Sequence, residues 1–531
     1  MTESADATKV QWREWGQKAF DAADRAAKPV LLALVTSWSA ECREMDTTTY
    51  AEPRIAANIN DGFVPVRVDA DRHPRVRERY NMGGFPSTVF LTPSGKVLTG
   101  ATHLGVDGFR GILDSVRKTW DSNGEEAGSI PRALRDDPTP AGDIDARIEE
   151  HMVEQLLGTF DEEFGGWGSG VKFPLPRTIE FALVRAPDQA TRTLEAIQTH
   201  LLDTYDGGFY RYARNRNWGG ARREKLADEN AALVRAFAHG YRYTGEESYR
   251  ETAERGVEFL TTTLWTGDAV GASQGGDESY FTLEPADRED ADPPSVDDTV
   301  LADRNGLAVD ALLRYVAYTD DADATRYARQ AREYVCEHLV DGGEVTHYRD
   351  GDDSGESGLL LDQARLLAGL TTSWEVLGEP GPVTAVADWT VEQLQTGEGA
   401  FRDGPAEGPG LLDRPLYPLD SAVEAERMGV EVAGYATVAA RLQEPRCIQV
   451  ATEPGSDLHR AALRLADHET VVAPLVASDH NAAATAGHAL GGDDGSDSQD
   501  LTRGEARVVT DGVEDDRVDS PAELESLLTD A

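Results

Sequence analysis

The sequence predicts a multidomain protein, in which an α/β domain is followed by an all-α toroid and a small α/β C-terminal segment. Helix-like and strand-like segments alternate over residues 10–120, which is typical of a layered α/β fold. Long amphipathic helices then dominate residues 144–445, and a strand–helix–strand pattern returns after that. We therefore predict domains over 8–122, 144–445 and 446–531, with a linker over 123–143.

The first domain is predicted element by element from this alternation. The uninterrupted apolar run Val30–Val35 is typical of a strand that is buried on both faces. Pro53 interrupts one helical stretch, because a proline inside a helix removes a backbone hydrogen bond. The predicted order is helix 15–27, strand 30–35, helix 43–60, strand 63–69, helix 75–80, strands 87–91 and 96–98, and helix 106–120.

The central region repeats one simple unit, a long amphipathic helix followed by a short loop of glycine and an aromatic residue. Such loops recur at 164–168, 206–210, 275–281 and 397–401, with a weaker copy at 341–343. Repeated helix hairpins bury their apolar stripes against their neighbours, and the irregular spacing favours a closed toroid over an open solenoid. The predicted helices cover 144–160, 176–186, 190–205, 226–244, 249–264, 304–318, 322–339, 359–377 and 384–395.

The C-terminal segment is predicted to be a small β-α-β unit with an acidic loop. Strands are expected at 447–450 and 470–476 on either side of a helix over 456–466. The polar stretch 491–505 reads as a solvated loop, and a short strand follows it. The capping box Ser520-Pro521-Ala522-Glu523 begins the last helix.

Composition excludes several classes of function. The 531 residues carry a net charge of −45, so neither nucleic acid nor an anionic membrane is an expected partner. Acidic residues are abundant and lysines are only seven, which favours the cytoplasm of a salt-adapted organism. No apolar stretch is long enough to span a membrane, and the N-terminus does not resemble a signal peptide. The three cysteines are too few for a disulfide framework or a cysteine zinc site, and we expect no cofactor.

Two motifs predict that the first domain has a thioredoxin fold. Trp38-Ser39-Ala40-Glu41-Cys42 follows a buried strand and precedes a helix, where a thioredoxin has W-C-x-x-C. Gly83-Gly84-Phe85-Pro86 precedes the next apolar strand, and Pro86 is the expected cis-proline facing the thiol site. The first thiol of the pair is replaced by Ser39. Because dithiol exchange needs one thiol to attack and a second to resolve the mixed disulfide, the domain is predicted to be redox-degenerate.

The whole chain resembles the spermatogenesis-associated protein 20 family. The ordered segments VQWREWGQKAF, AAKPVLLALVTSWSAECREM, FVPVRVDADRHPRVRERY and GGFPSTVFLTPSGKV are similar to its thioredoxin-like domain. Matching motifs continue through the helical region at Phe164–Pro174, Gly207–Tyr212, Glu224–Asn230, Asn305–Leu307 and Leu361–Ala364. The resemblance implies a thioredoxin-like domain fused to an (α/α)6 barrel of the six-hairpin glycosidase and sugar-epimerase type, with no defined reaction.

The chain departs from that family pattern where chemistry is expected. Arg222 and Arg223 replace a histidine and a phenylalanine, and Arg304 replaces a tryptophan. An arginine does not lose its proton at working pH, so Arg222 cannot serve as the base that a histidine supplies. The C-terminal cysteine pair of the family falls near Val509 and Glu514.

Candidate site residues follow from these motifs. Cys42, Glu224 and Asp362 are the candidate catalytic residues, and Asp228, Glu229 and Asp303 are further carboxylates near matched motifs. Glycoside hydrolysis needs two carboxylates that face the sugar. The candidate binding residues are Ser39, Pro86, Arg211, Tyr212, Trp218, Lys225, Asn230 and Asn305, with Trp167 and Phe209 as further aromatics that either contact a sugar or close a hairpin. No metal-binding motif is present.

Three hypotheses about function remain open at this level. The first is a redox-degenerate protein whose barrel holds a pocket for a small carbohydrate-like ligand. The second is a redox protein in which Cys42 works with an external thiol or a thiol partner protein. The third is a non-catalytic scaffold or docking protein, in which the thioredoxin fold serves as a docking surface. For the barrel residues, the alternative to a pocket is an internal network of salt bridges and hydrogen bonds.

Overall fold

The computed structural model describes residues 8–134, 144–351, 353–397, 399–405, 410–412, 414–416, 429–475, 501–510, 513–514 and 517–530. Residues 135–143 of the predicted linker and the acidic loop up to residue 500 lie outside the described residues. The domain limits drawn from the sequence stay predictions.

The N-terminal domain is a four-stranded sheet covered by helices. Its elements are α1 (Gln17–Ala26), β1 (Val30–Val35), α2 (Ala40–Thr47), α3 (Pro53–Gly62), β2 (Val64–Asp69), α4 (Pro74–Tyr80), β3 (Ser87–Leu91), β4 (Val97–Ala101) and α5 (Val106–Asn123). The strand order is β2-β1-β3-β4, with β1 parallel to β2 and antiparallel to β3. Every residue of β1 is buried, because hydrophobic clusters cover both faces of the central strand. The predicted α/β fold of this region is confirmed.

The central region is an α/α toroid. Its described long helices are α6 (Ala146–Thr159), α7 (Pro176–Arg185), α8 (Pro187–His200), α9 (Ala227–Thr244), α10 (Glu247–Thr261), α11 (Ala302–Thr319), α12 (Ala322–His338), α13 (Leu360–Leu377), α14 (Val383–Leu394) and α15 (Ala433–Gln443). The helices α7, α9, α11 and α13 pack on one another in sequence and form the inner wall, while each following helix packs on its outside. The inner helix α11 is buried on all sides, whereas the outer helix α12 buries one stripe.

The inner helices α11 and α13 cross at two glycines. A Cβ atom on Gly306 would lie 2.5 Å from the carbonyl oxygen of Arg365, and one on Gly369 would overlap the carbonyl of Gly306. Neither position has room for a side chain, so the two backbones touch directly. This close crossing brings the N-terminal turns of α11 and α13 together.

The C-terminal domain has the same strand order as the N-terminal domain. It consists of β5 (Arg446–Val450), α16 (Asp457–Leu465), β6 (Val471–Pro474), β7 (Ala506–Thr510), β8 (Val513–Glu514) and α17 (Pro521–Asp530). The order is β6-β5-β7-β8, with β5 parallel to β6 and antiparallel to β7. The structure therefore extends the predicted β-α-β unit to a four-stranded sheet.

The two α/β domains cap opposite ends of the toroid. The N-terminal domain covers the end where the inner helices begin, since Asp71 pairs with Arg304 in the first turn of α11 at 2.8 Å. The C-terminal domain covers the end where they finish. There the hydroxyl of Tyr243 in α9 lies 2.8 Å from Nδ1 of His468, and Nε2 of His459 lies 2.9 Å from the carbonyl oxygen of Glu375 in α13.

Substituting Gly369→Ala tests the close helix crossing. We expect the free energy of unfolding to fall by about 1–3 kcal/mol, because the added methyl group forces α11 and α13 apart. Urea denaturation followed by circular dichroism measures the change. The control is Gly111→Ala in α5, where an added Cβ meets open space and alanine favours the helix by up to about 1 kcal/mol. Equal stability of the two variants would contradict the packing described for α11 and α13.

Candidate functional site

The thioredoxin motif forms as the sequence predicts. Ser39 is the N-cap of α2, and its Oγ accepts a hydrogen bond from the backbone N–H of Cys42 at 3.3 Å. The peptide bond between Phe85 and Pro86 is cis, which confirms the prediction for Pro86. Ser39, Cys42 and Pro86 are all buried. The fold of the active-site region is therefore retained, although the first thiol is not.

The remaining thiol is poorly suited to redox chemistry. Cys42 is only 3% exposed, and burial raises the pKa of its thiol to about 11 against the smaller effects of Ser39 and of Arg67. Thiol–disulfide exchange proceeds through the thiolate, which this pKa suppresses at neutral pH. With Ser39 in place of the first thiol, Cys42 is a single thiol packed in the core.

The toroid covers the face on which the motif lies. The carbonyl oxygen of Trp38 accepts a hydrogen bond from the backbone N–H of Gly276 at 3.3 Å. Arg43, the residue after Cys42, donates to the carbonyl oxygen of Gly276 at 3.1 Å. The guanidinium of Arg211 lies 4.5 Å from the centroid of the Trp38 ring. A partner thiol therefore has no open approach to Cys42 from this side.

Asp71, in the turn after β2, joins the two domains through three hydrogen-bonding groups. One carboxylate oxygen accepts from the indole N–H of Trp38 at 2.8 Å, and the other pairs with Arg304 at 2.8 Å. Its backbone carbonyl accepts from Nε2 of His347 at 2.7 Å. All four side chains are buried. We call Trp38, Asp71, Arg304, His347 and Asp362 the interdomain hub.

His347 is a buried imidazolium in this hub. Its Nδ1 lies 2.8 Å from Asp362, and its Nε2 donates to the carbonyl oxygen of Asp71, so both ring nitrogens act as donors. Burial lowers the pKa of His347, but Asp362 and then Asp303 outweigh it and raise the pKa to about 9. One ligand atom each from Asp303, His347 and Asp362 lies within 4.8 Å of the others, which is a metal-like spacing. Because both nitrogens carry protons, the arrangement fits an ion pair better than a metal centre.

Two departures from the family pattern lie at this interface. Arg222, at the family's histidine position, forms a two-pronged ion pair with Glu41 of the thioredoxin motif. Arg304, at the family's tryptophan position, binds Asp71 and also the carbonyl oxygen of Ala272 at 3.0 Å. Both substitutions supply cations that hold the N-terminal domain against the toroid.

Beside the hub lies a half-open cleft at the rim of the toroid. Arg365 in α13 pairs with Asp303 at 2.7 Å and with Asp228 at 3.5 Å. The next residue of α9, Glu229, pairs with Arg211 at 3.3 Å. Asp228 and Glu229 retain 24% and 33% side-chain exposure, whereas Asp303 is buried. We call Arg211, Asp228, Glu229, Asp303 and Arg365 the rim cleft.

The carboxyl groups of the rim cleft differ in proton affinity. Burial raises the pKa of Glu229 to about 8, and Asp228 and Glu224 add to this effect against Arg211. Burial also favours the neutral form of Asp228, yet Arg304 and Arg365 hold the pKa of this group below its usual value. Among the described residues, Oδ1 of Asp228, Oε2 of Glu229 and Oδ1 of Asp303 are buried atoms with no hydrogen-bond partner. Burial and the neighbouring charges thus shift the pKa values of Glu229 and Asp228 in opposite directions.

Several predicted binding residues lie inside the toroid and not in a pocket. The ammonium group of Lys225 is buried and bonds Asp203 at 2.9 Å and the carbonyl oxygen of Gly207 at 2.7 Å. Trp218 packs in the core, and its indole N–H donates to the carbonyl oxygen of Phe164. The polar groups of these two side chains are satisfied within the hairpin loops, and their binding of a ligand stays a prediction.

Asn230 and Asn305 also have internal hydrogen-bond partners, and their binding of a ligand stays a prediction. Each lies near the start of an inner helix, with its amide group bonded to the backbone of the preceding loop. Asn230 bonds the backbone of Phe209 at 2.6 and 3.2 Å, and Asn305 bonds that of Val270 at 2.9 Å. Gln363 in α13 holds the 343–345 loop in the same manner. These amides are a repeated structural element of the toroid.

Of the three predicted catalytic residues, the two carboxylates, Glu224 and Asp362, also have internal partners. Asp362 is fully buried, bonding His347 and the backbone N–H of Asp303, so the hub and not a substrate uses it. Glu224 is buried at the base of the cleft, 3.2 Å from Arg222 and 3.9 Å from Arg211. It lies behind the residues that are open to solvent. Of the predicted aromatics, Trp167 and Phe209 are buried hairpin plugs.

Sequence reasoning missed His347, Asp71 and Arg365. None of the three belongs to a recognisable motif, and their partners are far away in the chain. Only two weak features of the sequence point to them as site residues. Asp71 follows a buried strand, and Arg365 lies one turn after Asp362 on α13. Their roles depend on how the two domains meet.

The fold and the site define a thioredoxin-like domain fused to an α/α toroid. Residues 2–136 match a family model described as a protein of unknown function, DUF255. The chain is similar to human spermatogenesis-associated protein 20, with 27% identity over 296 residues, 48% of this chain and 37% of the human protein. The chain therefore aligns with well under half the length of this curated relative.

Solved structures resemble the two parts separately. One is titled DsbH oxidoreductase, with 20% identity and a TM-score of 0.19, covering 20% of this chain and 85% of that one. Another is a glycoside hydrolase family 76 mannosidase from Bacteroides thetaiotaomicron, with 13% identity and a TM-score of 0.36, covering 46% of this chain and 70% of that one. Among the described residues, no helix is both long and apolar enough to cross a membrane. The cytoplasmic location stays a prediction.

Thiol labelling tests the packed state of Cys42. At pH 7 in the folded protein, we expect Cys336, which is half-buried, to react with Ellman's reagent before Cys42 and Cys447, which are buried. Mass spectrometry of the labelled peptides assigns each rate. In 6 M guanidinium the three rates should converge, which is the control. A folded-state rate for Cys42 above that of Cys336 would revive the single-thiol redox hypothesis.

The pH dependence of stability tests the imidazolium in the hub. His347 has a folded pKa of about 9 against an ordinary 6.5, so its stabilising contribution is complete below pH 6.5 and is lost as the pH rises through 9. We expect the stability difference between wild type and His347→Gln to shrink by up to about 3 kcal/mol between pH 6 and 9.5. Urea denaturation at each pH measures it. His200→Gln, at an exposed helix end, is the control, and an equal pH slope for all three proteins would contradict the ion pair.

Proposed function

We propose that the protein binds a carbohydrate in the rim cleft and acts on it by acid–base chemistry, while the thioredoxin-like domain serves as a fixed cap. The observation that carries this proposal is the pair of partly exposed carboxyl groups on consecutive residues, Asp228 and Glu229, each held by an arginine and with pKa values shifted in opposite directions. A protonated carboxyl beside an ionised one is the combination that acid–base reactions at a sugar require.

The chemical roles follow from the protonation states. Glu229, with a pKa of about 8, holds a proton at neutral pH and can donate it to a substrate oxygen. Asp228 stays ionised beside Arg304 and Arg365 and can accept a proton or stabilise developing positive charge.

Arginines around the cleft keep its carboxylates in place. Arg211 spans the space between Glu229 and the Trp38 ring of the cap, so the thioredoxin-like domain helps to position the acid. Arg365 holds Asp228 and Asp303 together across two inner helices. This arrangement gives the N-terminal domain a role in the site that needs no thiol.

The alternative functions differ in what they need from Cys42. The single-thiol redox hypothesis requires an accessible thiolate, which the burial of Cys42 disfavours. The scaffold hypothesis requires only the docked domains, and it predicts that no small molecule binds the rim cleft. Neither a thiol partner protein nor a nucleic acid is part of the proposal.

The substitution Glu229→Gln tests the proposed acid. Isothermal titration with mono- and disaccharides shows which of them bind, and NMR of the same sugars detects hydrolysis, isomerisation or epimerisation. We expect wild-type turnover to fall as the pH rises through about 8, because Glu229 loses its proton there. Glu229→Gln removes the donor, and we expect at least a hundredfold loss of turnover with this upper pH limb absent.

The control for this experiment is Glu251→Gln, an exposed glutamate on the outer helix α10. It removes the same charge from the same domain without touching the cleft, so binding and turnover should match wild type. Wild-type protein that binds none of the sugars would contradict the proposed function and favour the scaffold. Turnover that is unchanged in Glu229→Gln would exclude Glu229 as the acid.

A further inference from the structure

Phe173 and Tyr212 form an exposed aromatic pair at the rim of the toroid. Their ring centroids lie 4.8 Å apart, with the planes inclined by 31°. Phe173 is 47% exposed, and Tyr212 is half-buried. A large aromatic ring left open to water gives up much of the free energy that its burial would provide.

The pair differs from the other aromatics of the hairpin loops. Trp167, Phe209 and Trp218 occupy comparable loops, yet each is almost fully buried and closes the hairpin in which it lies. Phe173 precedes α7 and is not part of the hydrophobic core of the toroid. Among the described residues, its ring contacts one other aromatic ring, that of Tyr212. Packing of the toroid therefore does not account for its position.

Arg211 connects this pair to the rim cleft. Its guanidinium lies 5.6 Å from the centroid of the Tyr212 ring, while its Nε bonds Glu229 at 3.3 Å. Tyr212 is also paired across a two-stranded turn with Arg222, which binds the thioredoxin-like domain. The side chain of Arg211 thus lies between the aromatic pair and Glu229, the proposed acid.

We infer that Phe173 and Tyr212 form a second sugar subsite, on which one ring of a disaccharide or longer saccharide packs while the neighbouring ring occupies the rim cleft. This inference rests on the proposed function. The C–H face of a pyranose is apolar and matches a flat aromatic surface, while its hydroxyl groups point sideways toward polar partners. Arg211 lies between the two proposed ring positions, since its guanidinium is 5.6 Å from the Tyr212 centroid and its Nε pairs with Glu229.

The inference predicts a preference that depends on ligand length. A monosaccharide uses the rim cleft alone, whereas a disaccharide gains the aromatic contact as well. Phe173→Ala should therefore weaken the binding of disaccharides by about tenfold and change the binding of monosaccharides by less than about twofold. Phe173→Trp keeps an aromatic surface and should retain the disaccharide affinity.

Isothermal titration of cellobiose, maltose and lactose, beside glucose and galactose, measures these affinities. Tyr334→Ala is the matched control, because Tyr334 stacks on His338 at 4.4 Å on the outer helix α12, away from the cleft. Circular dichroism confirms that each variant is folded. We expect this control to bind all the sugars as wild type does.

The outcomes separate the subsite from the function on which it rests. If wild type binds sugars and Glu229→Gln alters turnover, but Phe173→Ala binds disaccharides as tightly as wild type, the subsite is overturned and the proposed function stands. If wild type binds none of the sugars, the proposed function is overturned and the subsite with it. A loss in Phe173→Ala that is equal for mono- and disaccharides would also overturn the second-ring assignment.

Discussion

The structure depends on one buried charged contact between its first two domains. Asp71 accepts the indole N–H of Trp38, pairs with Arg304 and offers its carbonyl oxygen to the imidazolium of His347. A buried ion pair is tolerated only when its charges are matched and its hydrogen bonds are complete. Here each charge of the hub has a partner, and losing one would leave an uncompensated charge at the centre of the interface. The register of the N-terminal domain on the toroid follows from this requirement.

The way the N-terminal domain docks on the toroid determines the surroundings of the thioredoxin motif. The face that presents thiols in a redox protein is turned onto the rim of the toroid, where Gly276 and Arg43 seal it. In that position a nucleophilic thiol has no access to a partner, and Ser39 serves instead as a helix cap. The cations at Arg222 and Arg304, which depart from the family pattern, stabilise the docked arrangement. The position of the missing thiol, Ser39, and the contacts with the toroid thus lie on the same face of the N-terminal domain.

The toroid places its chemistry where its inner helices begin, and both of its ends are closed by α/β domains of equal strand order. Glycine contacts between α11 and α13 bring Asp303 and Arg365 together, and α9 adds Asp228 and Glu229 beside them. The cap buries the hub, while Asp228 and Glu229 in the rim cleft stay partly exposed. Burial and the nearby arginines then shift the pKa values of Asp228 and Glu229 in opposite directions. An acid–base pair arises from packing and not from a motif.

The sequence by itself determined the α/β and toroid architecture, the strands of the first domain, the cis-proline at Pro86 and the missing thiol. These features are local: they depend on periodicity, on turn residues and on the identity of single positions. The sequence also predicted that Lys225, Asn230, Asn305 and Asp362 contact a ligand. Only the tertiary structure decided that their polar groups are consumed internally and that Glu229 faces the cleft, because hydrogen-bond partners far apart in the chain become neighbours only when the domains dock. Charge pairing between residues that are distant in the chain decides which of the many carboxylates are buried with internal partners. No short stretch of sequence contains this information.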